Sequence, residues 1–548
     1  MRSAPPQGPG RNLQSPMAKY FEEEFTAEEA EVLRPYFTNL DGPVFALVNL
    51  PEVVKGALFA RYSRSSKSLR RLFLDEFADE VDTSDGPDET TVGLGRAEEL
   101  YDKVFLEYGD DSVAQLGGVH LACEQSSNVL TKVLEWGRLM AYLEQSTRYV
   151  PYNDRPGGRF RYHVPAELDD RPLRDRYVEV MDRAFETYAR WIDPMREYWT
   201  RRLPQPAGES DTAYRMTIRA KALDSLRGLL PAATRSNVGI FGTAQGYEAL
   251  LLRMRAHPLR EVRDYGALML VELRKVIPAF LTRLERPERG GVWARYLENA
   301  REATAAVAAR LLEGVEPEPR GEVTLTDFDP DGEVKVLAAA LYAASALPDD
   351  QLLAIARKMD DEARRQVLAA YVGERENRRH RPGRAFERTA YRFDVLTDYG
   401  AFRDLQRHRL LTLEWQPLTT RHGHVTPDEL AEAGALADWT RVMEESAALH
   451  EALAAAVPAA APYAVAMAYR VRFYVELNAR EAMHMIELRT APQGHPAYRR
   501  VCQAMHRLIA EQAGHRELAF AMRHVDHSGA EGGRLAAERA AERRRAGA

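Results

Sequence analysis

The chain is poor in cysteine and has no long apolar run. Its 548 residues include two cysteines, Cys123 and Cys502, which are too few for a disulfide framework or a zinc site built from several cysteines. Apolar, helix-forming neighbours flank both, which is more typical of a buried structural thiol than of a nucleophile. No stretch approaches the roughly 18 to 20 apolar residues of a membrane span, so no membrane association is predicted.

An excess of positive charge is also missing, because the formal net charge is -7. Proteins that bind a nucleic-acid backbone are ordinarily basic, so the predicted partner is a small molecule and not nucleic acid. The opening residues MRSAPPQGPGRNLQSP lack the apolar core of a signal peptide, which predicts a flexible tail and a cytoplasmic location. In GGRLAAERAAERRRAGA, glutamates interleave with the arginines, which predicts a solvated helix and not a basic arm.

Helical periodicity dominates what is present. Apolar residues recur at the spacing of an amphipathic helix at 98–109 and 246–256. Three short runs bounded by Gly, Pro or Asp are strand candidates, at 43–51, 159–165 and 321–330. The predicted fold class is therefore α+β and helix-dominated.

The segment LLEGVEPEPRGEV separates two halves that carry matching landmarks in matching order. Each half opens with a strand and a helix, continues with an Arg-containing helix that runs into a polar segment (136–152 and 407–423), and closes with an Arg-bearing helix (242–263 and 477–500). This order predicts a tandem duplication. The predicted domains are a leader at 1–36, a first repeat at 37–310, a linker at 311–323, a second repeat at 324–525 and a charged tail at 526–548.

The landmarks resemble the flavin-dependent thymidylate synthases, whose signature is Arg-His-Arg, seven residues, then Ser-x-Arg-Tyr. The first half reads Trp136-Gly137-Arg138 and, after seven residues, Ser146-Thr147-Arg148-Tyr149. The second half reads Arg407-His408-Arg409 and, after seven residues, Pro417. Each half therefore resembles the family at one end of the signature only.

The closing helices of the two halves also differ in which family residues they retain. The second half has Asn478, Arg480, His484 and Arg489 at positions that the family uses for flavin and nucleotide, whereas the first half retains only the last of these, as Arg253. Arg227 precedes Leu-Leu-Pro, as the family's nucleotide-phosphate arginine does, and the second half has Pro462 there. The losses are complementary, which predicts a nucleotide half and a flavin half.

The resemblance implies two synthase-like units that form a pseudo-dimer with one composite site. It implies conversion of dUMP, or a related pyrimidine nucleotide, with FAD as cofactor, methylenetetrahydrofolate as carbon donor and NADPH as reductant, in a homodimer of the fused chain and without a metal. Nucleotide binding is implied for Glu144, Ser146, Arg148, Arg227, Arg407 and Arg489, with catalytic roles for Ser146, Arg148 and Arg489. Flavin binding is implied for Arg407, His408, Arg409, Asn478, Arg480 and His484.

Guanidinium groups hold phosphate oxygens bidentately, which suits the arginines of this set, and hydride from reduced flavin removes the need for a cysteine nucleophile. Asp404 and Leu259 stand where the family usually has glutamine. A flavin-dependent C5-modifying enzyme for another pyrimidine nucleotide is thus an open alternative, and so is a catalytically inactive nucleotide-binding homologue. His422 and His424 lack a nearby third ligand, which favours a turn over a metal site.

Overall fold

A computed structural model of the chain describes residues 23–41, 45–62, 67–76, 78, 115, 117–207 and 210–529. The helical pattern predicted at 98–109 and most of the tail predicted at 526–548 lie outside these residues. The internal contacts divide the chain into two compact units: the first comprises Met1–Val119, Gly242–Ala249 and Leu270–Gly290, and the second comprises His120–Phe241, Leu250–Met269 and Gly291–Ala548. The second unit holds every candidate site residue considered below.

The elements of the first half, in chain order, are α1 (Ala27–Leu33), α2 (Glu52–Tyr62), α3 (Leu69–Glu76), β1 (Gly118–Ser127), α4 (Asn128–Leu134), β2 (Met140–Glu144), α5 (Arg171–Arg202), α6 (Asp211–Leu226), β3 (Arg235–Thr243), α7 (Ala244–Arg255), α8 (Arg260–Arg274), α9 (Thr282–Glu285) and α10 (Val292–Leu311). Those of the second half are β4 (Val323–Phe328), α11 (Gly332–Tyr342), α12 (Asp349–Arg357), α13 (Asp361–Val372), β5 (Ala390–Asp398), α14 (Tyr399–Gln406), β6 (Leu411–Trp415), α15 (Glu429–Glu432), α16 (Leu436–Ala456), β7 (Arg470–Asn478), α17 (Ala479–Arg489), α18 (Pro496–Glu511) and α19 (Arg516–Ala521).

The two sheets share a strand order. One is β1-β3-β2 and the other is β4-β5-β7-β6, so β5-β7-β6 repeats the first sheet. Strand β1 leads directly into α4, whose N-terminus is capped by the Ser127 side chain, and β5 leads into α14, which is capped by Asp398. In the same way β3 leads into α7 and β7 leads into α17. The repeated order confirms the helix-dominated α+β fold with two tandem units.

A short antiparallel contact relates the two halves. Aligning β3 and β7 at their first residues makes Pro231 equivalent to Ala466, and these two residues form an antiparallel bridge. Ala232 N donates a hydrogen bond to Val465 O at 2.8 Å. The equivalent bond from the second half runs from Met467 N to Leu230 O at 2.9 Å. In a two-fold contact each bond has a counterpart, so a local two-fold axis passes between Pro231 and Ala466. The halves therefore form the expected pseudo-dimer.

One of the three predicted strands is confirmed, the segment at 321–330 that contains β4. The described part of 43–51 makes a single bridge from Leu47 to Phe37, because Asn49 adopts a left-handed φ of 53° that ends the extended run. The segment 159–165 makes one bridge, from Tyr162 to Thr234, and follows two left-handed glycines. Each segment makes an isolated bridge and not a ladder of consecutive bridged pairs, so neither forms a strand.

The predicted helix at 246–256 is confirmed by α7, and the closing segments contain α7 with α8 and α17 with α18. The Arg-containing segments at 136–152 and 407–423 were predicted as helices, which is wrong. Helix α14 ends at Gln406. In the first half β2 begins four residues after Trp136, and in the second half β6 begins four residues after Arg407. Both segments are extended because β2 pairs with β3 and β6 pairs with β7.

Residues 312–321, which connect α10 to β4, are exposed. Within the described residues, no helix is long and apolar enough to cross a membrane.

Candidate functional site

Asp404, on α14, is the centre of an ion-pair cluster. Arg407 Nη2 donates to its carboxylate, Arg227 Nη1 lies 3.5 Å from its Oδ2, and Arg489 Nη1 lies 3.8 Å from its Oδ1. Burial would raise the pKa of Asp404, but Arg407, Arg489, Arg227 and Arg148 hold it well below its ordinary value. The four arginines implied for the nucleotide thus surround a carboxylate of the protein itself.

Glu144, the last residue of β2, connects the first half to α14. Its carboxylate accepts from Arg403 Nη2 at 2.7 Å and from Arg407 Nη1 at 3.0 Å, and lies 3.5 Å from Lys132 Nζ. Burial would raise the pKa of Glu144, but Arg403, Lys132 and Arg407 lower it to about 2. A buried carboxylate requires such partners, so these pairs fix the position of Glu144.

Arg148 is held bidentately by Asp224, at 2.7 and 2.8 Å from its Nε and Nη2. Its Nη1 donates to the Tyr498 hydroxyl at 2.9 Å, and its Nη2 also donates to Gln493 O at 3.0 Å. The donors expected for a phosphate are therefore engaged within the protein. Ser146 Oγ accepts from the main-chain N of Arg148 at 3.2 Å, which is a local turn contact.

A hydrogen-bond relay links Arg489, His408 and Glu481. Arg489 Nε donates to His408 Nε2 at 3.0 Å, and an arginine N–H can only donate. The ring proton of a neutral His408 therefore belongs on Nδ1, which faces Glu481 Oε1 at 3.1 Å. Burial, with Arg489 and His484, holds the pKa of His408 well below its ordinary value, and burial raises the pKa of Glu481 to about 7. The relay fixes both ring and tautomer.

The same region groups three potential metal ligands. Ligand atoms of His408, Glu481 and His484 all lie within 4.8 Å of one another, and two imidazoles with one carboxylate suit a divalent transition metal. Both ring nitrogens of His408 are engaged in the relay. Burial, together with Arg381 and other nearby arginines, lowers the pKa of His484 to about 4. This positive surrounding opposes a cation, so the absence of a metal stays a prediction.

A basic cavity of about 480 Å³ lies beside Arg409. Five arginines line it together with Asn478 and three glutamates: Arg138, Arg381, Arg384, Arg409 and Arg480, with Glu387, Glu476 and Glu481. Arg480 Nε donates to Pro382 O at 2.9 Å, and Asn478 Oδ1 caps α17 by accepting from Glu481 N at 2.9 Å. A second cavity of about 270 Å³ shares Arg138 and Arg409 and adds His408. The structure thus gathers most of the implied flavin residues around two adjoining cavities.

The local two-fold axis relates the Arg407–Glu144 pair to a position with different side chains. Aligning the cap residues Ser127 and Asp398 makes Trp136 equivalent to Arg407. The same alignment makes Trp415 equivalent to Glu144. The rings of Trp136 and Trp415 meet edge to face with centroids 6.2 Å apart, and the Arg407–Glu144 ion pair occupies the equivalent position on the other side of the local two-fold axis.

Further contacts fix this aromatic pair. Trp136 Nε1 donates to Leu413 O at 3.3 Å, and the Arg253 guanidinium lies over the Trp136 ring at 4.8 Å from its centroid, within range of a cation–π interaction. The arginine that the first half retains therefore packs on a tryptophan. One of the two equivalent positions holds an ion pair, and the other holds an aromatic pair.

Sequence reasoning missed several members of the cluster. Arg403 precedes Arg407 by one helical turn on α14, and Asp224 precedes Arg227 by three residues, so helical spacing alone could have indicated both. The arginine-rich run NRRHRPGR at 377–384 contains Arg381 and Arg384 of the basic cavity. The contact of Tyr498 with Arg148 leaves no local signal in the sequence.

Both cysteines lie outside this chemistry. Cys123 and Cys502 are free and buried, which confirms that they are buried thiols. Burial raises the pKa of each to about 12, so neither is a thiolate at neutral pH.

The family model for thymidylate synthase complementing proteins matches residues 56–279 and 324–513, and the chain belongs to this family. A UPF0159 protein of Chlamydia muridarum is 39% identical over 522 residues, which cover 94% of this chain and 98% of that protein. A flavin-dependent thymidylate synthase of Clostridium tetani is 25% identical over 178 residues, 32% of this chain and 66% of that protein. A solved structure of the UMP/dUMP methylase PolB from Streptomyces cacaoi, bound with 5-Br dUMP, has 18% identity and a TM-score of 0.29, covering 37% of this chain and 97% of that one.

Proposed function

We propose that this protein is a flavin-dependent thymidylate synthase that converts dUMP to dTMP, with methylenetetrahydrofolate as carbon donor and NADPH-reduced FAD as hydride source. Membership of the thymidylate synthase complementing family supports this reaction class, and so does the similarity to the Clostridium tetani enzyme. The proposal includes one composite site per chain, a homodimer of the fused chain and a cytoplasmic location.

The basic cavity is the observation that carries the proposal. Its volume of about 480 Å³ falls within the range of roughly 300 to 1,000 Å³ for ligand pockets, and five arginines against three glutamates favour an anion. The residues therefore fit a dinucleotide flavin. Arg409 and Arg480 would hold its phosphates through charge-assisted hydrogen bonds, and Asn478 borders the same space. When bound, the flavin supplies hydride chemistry.

The chain's own residues would position the nucleotide. Arg489 contacts both the Asp404 cluster and, through His408, the residues beside the basic cavity. A neutral His408 fixed by Arg489 and Glu481 holds the Arg489 guanidinium in one orientation. In this proposal Ser146 orients the pyrimidine nucleotide and is not a covalent nucleophile, because its side chain makes only a turn contact.

The aromatic pair supports a single composite site per chain. Trp136 and Trp415 occupy the position that corresponds to Arg407 and Glu144, so the second equivalent position lacks the ion pair. Two fused chains that form a homodimer would then carry two complete sites and two filled ones.

The test is the visible absorbance spectrum of the purified protein, before and after addition of FAD and dUMP. We expect a bound-flavin spectrum that is bleached by NADPH, and dTMP once methylenetetrahydrofolate is added. Arg409→Gln should weaken FAD binding by about tenfold or more, while Arg365→Gln, an exposed arginine paired with Glu362, serves as the matched control. A colourless protein that takes up no FAD in the presence of dUMP would refute the proposal.

A C5-modifying flavoenzyme for another pyrimidine nucleotide is the second candidate, and Asp404 favours it because a carboxylate replaces the amide of the family pattern. Comparing dUMP, UMP and dCMP as acceptors in the same assay distinguishes the two candidates. A flavin-bound protein that fails to rescue a thymidine-requiring bacterium and modifies one of the other nucleotides would establish the second. Flavin-free protein that still binds nucleotide would instead indicate an inactive homologue.

A further inference from the structure

We propose that Asp404 is a resident anion that competes with the nucleotide phosphate for one arginine cluster and thereby sets the charge of the ligand that the site accepts. This inference rests on the proposed function for the identity of the nucleotide. The competition itself concerns any phosphate.

The Asp404 carboxylate occupies the point at which a bound anion would interact most favourably with the arginines. Arg227, Arg407 and Arg489 all lie within 4 Å of the carboxylate oxygens of Asp404, and Arg489 Nη2 also donates to its main-chain oxygen. Guanidinium groups that converge on one point form a phosphate site in many proteins. Here the convergence point belongs to the protein.

The surrounding charges are nearly balanced while Asp404 is present. Ion pairs within 4 Å join six cationic side chains to five carboxylates, a formal excess of one positive charge. The cations are Arg148, Arg227, Arg403, Arg407, Arg489 and Lys132, and the carboxylates are Asp224, Asp398, Asp404, Glu135 and Glu144. The two negative charges of a phosphate dianion are more than this single positive charge can neutralise. Removing the charge of Asp404 would raise the positive excess to two, which equals the charge of the dianion.

A ligand can reach the cluster without unfolding of the chain. The side chains of Arg407 and Arg489 are 25% and 16% exposed, and that of Asp404 is 13% exposed. The cavity of about 440 Å³ that borders Arg227 is lined by Asp224 and Asp398, which are among the five carboxylates, and also by Asp428, Glu429 and Arg500. This side therefore adds one formal negative charge. A dianion placed there meets carboxylates at close range, and such like-charge juxtaposition opposes its binding.

The wild-type protein should therefore discriminate little between a nucleotide and its nucleoside. We expect dUMP to bind within about tenfold of deoxyuridine in equilibrium titrations of the full chain. A wild-type preference for dUMP of more than about a hundredfold would overturn the proposal, because four unopposed arginines would bind the phosphate that strongly.

Asp404→Asn keeps the shape of the side chain and removes its charge. We expect affinity for inorganic phosphate to rise by about tenfold or more, and the preference for dUMP over deoxyuridine to rise in parallel. Asp438→Asn is the matched control, since Asp438 also pairs with two arginines, Arg190 and Arg441, but lies outside the cluster. Unchanged phosphate binding by Asp404→Asn relative to this control would overturn the proposal.

Loss of a buried counter-ion can also weaken folding, and phosphate then provides a second measurement. Thermal unfolding of Asp404→Asn and Asp404→Ala in chloride and in phosphate should show selective stabilisation by phosphate, because a ligand that binds the native state raises its stability. Destabilised variants that phosphate does not rescue would mean that Asp404 is a structural counter-ion only. The phosphate measurements require neither flavin nor turnover, so the proposed function can fail while this inference stands, or the reverse.

Discussion

At the scale of single residues, burial makes Glu481 a proton-binding group of the native state. The carboxyl is buried, and its raised pKa of about 7 means that the folded protein binds a proton there more tightly than the unfolded chain does. A carboxyl of this kind contributes stability that is fully present below its unfolded pKa of about 4.5 and is lost as pH rises through the folded value.

Glu481→Gln should therefore change the pH dependence of stability in a defined direction. The amide still accepts the hydrogen bond from His408 but does not titrate. Between pH 4.5 and 8 we expect wild type to lose about 2 to 3 kcal/mol relative to the variant, measured by urea unfolding of both proteins across the range. All other titrations are common to the two proteins, so a constant difference between the two curves would show that Glu481 takes up no proton on folding.

At the scale of elements, the β2 and β6 edges show how one duplicated arrangement has diverged. The α14–β6 connection carries Arg407, which pairs with Glu144 of β2. The α4–β2 connection carries Trp136, which packs on Trp415 of β6. Equivalent backbones therefore support an ion pair on one side of the local two-fold axis and an aromatic contact on the other.

A double-mutant cycle tests this equivalence. Trp136→Arg and Trp415→Glu should each destabilise the protein by about 2 to 4 kcal/mol, because each removes an aromatic contact and introduces a charge. Together they should cost about 1 to 3 kcal/mol less than the sum, as measured by chemical unfolding. The control cycle uses glutamine at both positions and should show only the smaller coupling that arises because each variant removes the same ring contact. Additive charged variants would mean that the two positions are not equivalent.

The contact at the local two-fold axis depends on a close backbone approach at Gly228. Its carbonyl accepts from Ala468 N at 3.1 Å. A Cβ added there would collide with the ring of Trp439 and lie 3.0 Å from the Ala468 Cβ. Only glycine leaves room for this pairing.

Gly228→Ala should lower the free energy of unfolding by about 1 to 3 kcal/mol through overpacking, measured by urea denaturation. Gly239→Ala in β3 is the control, because the nearest atom to its added Cβ is Leu143 O at 3.9 Å. Equal stability of the two variants would show that the close approach carries no cost.

At the scale of the whole molecule, the two halves are joined by buried contacts that lie away from the covalent link between them. Residues 312–321 are exposed, whereas the buried pair Arg403–Glu144, the Arg148–Tyr498 hydrogen bond and the main-chain bonds around Pro231 and Ala466 join residues of the two halves within the second unit. Buried pairing of this kind, and not chain connectivity, should dominate the association.

A protease site inserted between Glu316 and Glu318 tests this expectation. After cleavage, the two fragments should co-elute in gel filtration under native conditions and separate in urea. The same column reports the proposed homodimer, with a mass about twice the 61.9 kDa of one chain. Fragments that separate without denaturant would contradict the intramolecular pairing.

Much of this protein is determined by local sequence. The complementary signatures at Ser146 and Arg407 lie in continuous stretches, and the helix at 246–256 and the buried cysteines follow from short-range pattern. The duplication is likewise visible in the order of landmarks, because a repeated unit repeats its local patterns.

Only the tertiary structure decided what the arginines bind. Asp224, Glu144 and Asp404 take donors of Arg148, Arg227 and Arg407, and the Arg148–Tyr498 contact spans 350 residues of sequence. The strands β2 and β6 were also hidden, because their extended form depends on partners more than 50 residues away. Such contacts are determined by the packing of elements that are distant in sequence. The local sequence around an arginine therefore does not indicate which carboxylate it will pair with.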